Sequence, residues 1–95
     1  MAIAVEDEIR ASSSFLEQQE LLHARGGTVD IASMRAGMVA SLNTMIQNLG
    51  RLRAERAASM IAAVNATVFT NEEKGILADA ISSRLLGSFG YWPHN

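Results

Sequence analysis

Glu20-Leu21-Leu22-His23 sets a carboxylate and an imidazole three residues apart, on one face of any helix that carries them. That E-x-x-H unit is used twice in di-iron helical bundles, beside further glutamates that face inward. This chain lacks a second unit, and its other histidine is His94, near the end. A symmetric dimer would duplicate the pair, with Glu17 or Glu55 needed to complete it. A histidine close to a helix C-terminus is also what the helix dipole favours. A solvated helix end is therefore the expected state of His23, and no metal and no other cofactor is expected.

The second charged group is Arg51, Arg53 and Arg56, with Arg35 upstream. Phosphate or nucleic acid would suit such a segment. The net charge of −2 removes the electrostatic footprint that nucleic acid or an anionic membrane requires. No aromatics or lysines interleave these arginines, and Glu55 supplies an intrahelical partner. A solvated, charged helix face is the expected reading. It leaves Arg51, Arg53 and Arg56 as a charged contact for a protein.

Covalent catalysis needs an activated nucleophile beside a base. The chain has no cysteine, its one lysine is Lys74, and its serines have no histidine or carboxylate in a recognisable arrangement. The carboxylates Glu6, Asp7 and Glu8, and Glu72 and Glu73, fall at helix starts, where the dipole accounts for them. Gly26-Gly27 lacks the lysine and further glycines of a phosphate loop. Asn65-Ala66-Thr67 has the form of a glycosylation sequon but lies in a predicted helix. The expectation is a protein that is not an enzyme.

The elements that carry these residues follow from apolar spacing. Ile31, Met34, Met38, Leu42, Met45, Leu49 and Leu52 recur at intervals of three and four, which marks one face of a helix. Met60, Ile61, Val64 and Val68 continue the pattern beyond the arginines. No proline interrupts residues 28–92. The spacing predicts one long helix over about 30–67, continuous or kinked. The alternative is a break at Gly50, since glycine is enriched just past helix ends. Against a break, residues 51–56 offer no N-cap and no turn residue.

A first helix is predicted over about 4–25, acidic at its start and basic at its end. Val5, Ile9, Phe15, Leu16, Leu21 and Leu22 form a thin apolar face, and Ser12-Ser13-Ser14 invite a bend. Gly26-Gly27 ends it, and Thr28 or Asp30 would cap the next helix. Thr70-Asn71-Glu72-Glu73 matches the S/T-x-x-E capping box, so a last helix starts at Asn71 and runs to about residue 86. Residues 87–95 form an aromatic tail with Phe89, Tyr91 and Trp92, which either seals the bundle or binds a partner.

The expected fold is all-α, a single domain of three helices whose long central helix forms a dimeric bundle. Ninety-five residues bury a modest core, and with no disulfide available oligomerisation is the remaining reinforcement. Met34, Met38, Leu42, Met45, Leu49 and Leu52, with Phe89, Tyr91 and Trp92, are the expected oligomer or partner interface. The uncharged stretch 57–71 is too short for a membrane span, which needs about 20 residues. The acidic N-terminus does not resemble a signal peptide, and a cytoplasmic location is expected. The function that suits these features is protein–protein contact, as a small regulator, adaptor or inhibitor. A self-assembling subunit of a filament, sheath or viral particle is the alternative.

Overall fold

The computed structural model describes residues 4–87. Among them every regular element is helical: α1 Val5–Ala24, α2 Ile31–Gln47, α3 Ala54–Asn65 and α4 Asn71–Gly87. The all-α expectation holds. The long central helix does not: residues 30–67 hold two helices, so the described residues hold four helices rather than three.

The break falls at 48–53. Asn48 closes α2, its amide reaching the Thr44 carbonyl at 3.0 Å. Arg53 sits at the N-cap of α3 in extended backbone and makes no side-chain cap. The missing cap costs about 1 kcal/mol. Tertiary burial outweighs it. A straight helix would leave the apolar faces of both halves without a core, whereas the break folds α3 back so that Leu52, Ala57, Met60, Ala63 and Val64 are buried. Gly50 is not forced by sterics, since its φ is not positive and a Cβ there would meet nothing within 4 Å. Arg84 from α4 donates to the Leu49 carbonyl that the break frees.

Each helix packs on two others, in the cyclic order α1, α2, α4, α3. The centre holds Ile9, Leu16, Ile46, Met60, Val64, Leu77 and Ile81, all fully buried. On α2 the most buried positions are Val39, Leu42 and Ile46. Met34, Met38, Met45 and Leu49 flank that row, half-buried against the same core. The inward face is therefore rotated by one position from the methionine stripe. Methionine's unbranched chain suits such edge sites, where the gap is irregular.

The first helix runs unbroken through Ser12-Ser13-Ser14. Ser13 is buried, and its hydroxyl accepts from the Val68 amide in the α3–α4 linker. A serine facing inward thus satisfies a backbone donor that its own helix cannot reach. Phe69, next along, is buried and anchors the linker in the core. Phe15, Leu21 and Leu22, expected on the inner face of α1, are instead exposed.

Two turns match their sequence signals. Gly26 has φ 93°, its amide reaches the His23 carbonyl at 3.0 Å, and the Gly27 amide reaches the Leu22 carbonyl at 3.0 Å. Those two bonds define a Schellman end. A Cβ on Gly27 would stand 2.8 Å from the Leu22 carbonyl oxygen. Asp30, the alternative to Thr28, caps α2 by accepting from the Ser33 amide at 3.2 Å and the Ser33 hydroxyl at 2.8 Å. These bonds hold the Asp30 carboxyl below its ordinary range. Glycine substitutions here should have opposite signs in urea unfolding. Gly26→Ala is expected to cost about 1–2 kcal/mol, because the left-handed conformation penalises a Cβ. Gly37→Ala, inside α2 with open space around it, is expected to add about 0.5–1 kcal/mol.

Candidate protein-binding surface

The site begins with Arg35, whose side chain is 11% exposed on the inward side of α2. A cation that dry needs partners. Its Nε donates to Glu73 Oε2 at 3.1 Å and its Nη2 to Glu73 Oε1 at 2.5 Å, a two-pronged pair with a carboxylate that is 14% exposed. The Val68 carbonyl accepts at 3.5 Å from Nη2, and Glu20 lies 3.3 Å from Nη1. One guanidinium thus ties α2 to α4, to the α3–α4 linker and to α1.

Glu73 is shared with the capping box. Its Oε1 accepts from the Thr70 amide at 2.8 Å, and its own amide donates to the Thr70 hydroxyl at 3.1 Å. Burial pushes the Glu73 carboxyl up, but the hydrogen bonds from Arg35 and from Thr70, with the Arg35 charge, outweigh it. The net direction is downward. Glu73 is therefore charged at neutral pH and fixed in one place.

This pair forms one end of a groove between α2 and α4. The groove there is a concavity of about 540 Å³ lined by Ala32, Ala36, Val39 and Ile76, with Glu72 at its rim. It continues past Asn43 and Gln47 towards Asp79 and Ser83. The exposed alanines of α2 leave a low wall. Across from them Ile76 stands 41% exposed. Glu72, Ile76 and Asp79 follow one another at intervals of four and three, so they share one face of α4. An apolar side chain thus stands between two carboxylates, one turn to either side. Glu72 and Asp79 are exposed and take part in no ion pair among the described residues.

The residues expected to form the interface are placed as follows. Leu42 and Leu52 are buried in the core of the single chain, and Met34, Met38, Met45 and Leu49 pack against it. None of these lines the α2/α4 groove. Phe89, Tyr91 and Trp92 lie outside the described residues. Arg51, Arg53 and Arg56 surround a concavity of about 320 Å³ at the α2–α3 break. Arg56 is drawn to Glu6 of α1 at 3.2 Å, which makes it a tie between helices. Glu20 is committed to Arg35, while His23 is exposed at the end of α1. Among the described residues no three of His, Cys, Asp and Glu gather in a geometry for a metal ion. No helix among them is long and apolar enough to cross a membrane.

The chain matches no family model, no curated protein and no solved structure.

The apolar run of the last helix places Ile76 with Leu77, Ala80, Ile81, Leu85 and Leu86 on one wide apolar face; the structure buries Leu77, Ala80 and Ile81 but leaves Ile76 exposed. The signal was present in the spacing of Glu72, Ile76 and Asp79. Two charges flanking an apolar residue at helical intervals mark a face that points outward.

Proposed function

We propose that this protein acts by holding a segment of another protein in the α2/α4 groove, as a small non-enzymatic regulator, adaptor or inhibitor. The observation that carries the reading is Ile76, exposed between the uncommitted carboxylates of Glu72 and Asp79. Laying an amphipathic helix into a groove is a recurrent mode of peptide recognition, with apolar anchors at helical spacing. The chemistry of the rim specifies the ligand further. Two carboxylates one turn either side of the anchor favour a helix with an apolar residue flanked by lysines or arginines. The alanine wall admits the backbone of that helix closely, and the Arg35–Glu73 pair fixes one end of the groove.

The test uses defined synthetic helices. One carries leucines on one face with lysines one turn to either side, and its counterpart carries glutamates in place of the lysines. Titration calorimetry is expected to show the lysine peptide binding and the glutamate peptide binding at least about tenfold more weakly, since like charges at a rim oppose association. Equal affinity for the two, or affinity for neither, would contradict the reading.

A further inference from the structure

We propose that α1 carries a separate face for self-association, on which two copies of this chain pair antiparallel. This inference uses a different surface from the groove and stands or falls apart from it. Three large apolar side chains are exposed on α1. Phe15 is 43% and Leu22 48% open to water, and Leu21 is exposed beside them. Phe15 and Leu22 are seven residues apart and lie on one line along the helix, with Gln18 between them and Ala11 one turn before Phe15. Glu8 and Arg25 extend that line at either end. Its intervals of three and four are those of a two-helix seam. The opposite face of α1, with Val5, Ile9, Ser13 and Leu16, is already buried in the chain's own core.

Charge selects the occupant and its direction. The seam line is acidic at its start, with Glu8, and basic at its end, with Arg25; Glu6 is turned to Arg56 and Asp7 stands 3.8 Å from Arg10 within the same chain. A parallel pair would set acid against acid and base against base. An antiparallel pair centred midway between Phe15 and Gln18 sets Glu8 of one copy beside Arg25 of the other, and Ala11 beside Leu22, at both ends alike. The arrangement also opposes the two helix dipoles. A face that complements itself under a two-fold rotation is what a homodimer requires.

The expected strength follows from size. Twenty residues make a seam about 30 Å long and roughly 10 Å wide, so about 600 Å² is buried in total. Stable interfaces bury about 1,200 Å² or more, which places this one in the weak, transient class. Sedimentation equilibrium on the full chain, from about one micromolar to several hundred micromolar, is expected to show a monomer–dimer equilibrium. Phe15→Glu alters an exposed position, so its circular dichroism and melting should match the parent while the dimer is lost across the range. Arg25→Glu should weaken the dimer, and adding Glu8→Arg to it should restore the parent constant. That rescue is independent of the fate of Phe15→Glu and cannot arise from a folding defect. A parent that stays monomeric throughout would overturn the proposal. So would a dimer indifferent to both Phe15→Glu and the charge exchange, including one lost only with Ile76→Arg.

Discussion

Replacing Arg35 by methionine is expected to lower the unfolding free energy by about 3 kcal/mol, the scale seen when one partner of a buried ion pair is removed. For a domain of this size that corresponds to a fall in melting temperature of roughly 12–24 °C. The cost lies less in the lost bonds than in what remains. Glu73 keeps its position in the capping box, 14% exposed, with no cation to offset its charge. Glu20 is better placed, because it is 42% exposed and can turn to water. The double variant Arg35→Met with Glu73→Gln is therefore expected to recover more than half of the loss. Glutamine still serves the capping box, and no charge is left buried. If the double variant were as unstable as the single, the pair would matter through packing and not through charge.

The same pair fixes a pH dependence. The folded carboxyl of Glu73 titrates below its unfolded value, which is about 4.3. Its contribution is then fully present above that value and is lost as pH falls through the folded one. Acidification from about pH 5 should destabilise the parent protein more steeply than the Arg35→Met/Glu73→Gln variant, as read by urea midpoints at each pH. Asp30, also held low, adds to the fall in both proteins alike.

The second large effect belongs to the groove. Ile76→Arg is expected to reduce binding of the lysine-flanked helix by about 30-fold or more, the range of a central interface anchor replaced by a repelling charge. Stability should move little, because the position is exposed and α4 keeps Leu77, Ala80 and Ile81 in the core. Reversing the rim with Glu72→Lys and Asp79→Lys should exchange the preference, so that the glutamate-flanked helix binds more tightly. A loss of both peptides on reversal would show that the carboxylates act by shape and not by charge.

What could be read from the sequence was what is local. Thr70 and Glu73 are three residues apart, and the capping box they form is written within those four positions. The same holds for the Gly26-Gly27 turn and for Asp30 with Ser33. Arg35 shows the opposite case. Its partner lies 38 positions away, so in the sequence it is one charge in an apolar run. The break at 48–53 was obscured for a related reason. Residues 51–56 carry no helix-start signal, and the break is favoured by the burial of Leu52 and Met60 against helices elsewhere in the chain. On α2 the row Met34, Met38 and Met45 runs one position from Val39 and Ile46 and shares Leu42 with the buried face, so both rows have the same helical interval. Spacing fixes that a stripe exists, whereas its centre depends on which neighbour each side chain meets. On α1 residue type alone groups the apolar residues on one face. The angular positions of Phe15 and Leu22, seven residues apart and away from Ile9 and Leu16, show that they belong to another.

The α2/α4 groove is the proposed place where another protein binds. The most direct measurement replaces Ile76 with a photo-crosslinking amino acid, with Ser59 on the exposed side of α3 as the control position, in extracts of the native host. Adducts are mapped by mass spectrometry to the residue joined. The account predicts one discrete adduct from position 76, absent from position 59, joined within an apolar segment flanked by lysine or arginine, and abolished by Glu72→Lys with Asp79→Lys. No adduct at position 76, the same adducts from both positions, or a crosslink to the chain's own residues would contradict it.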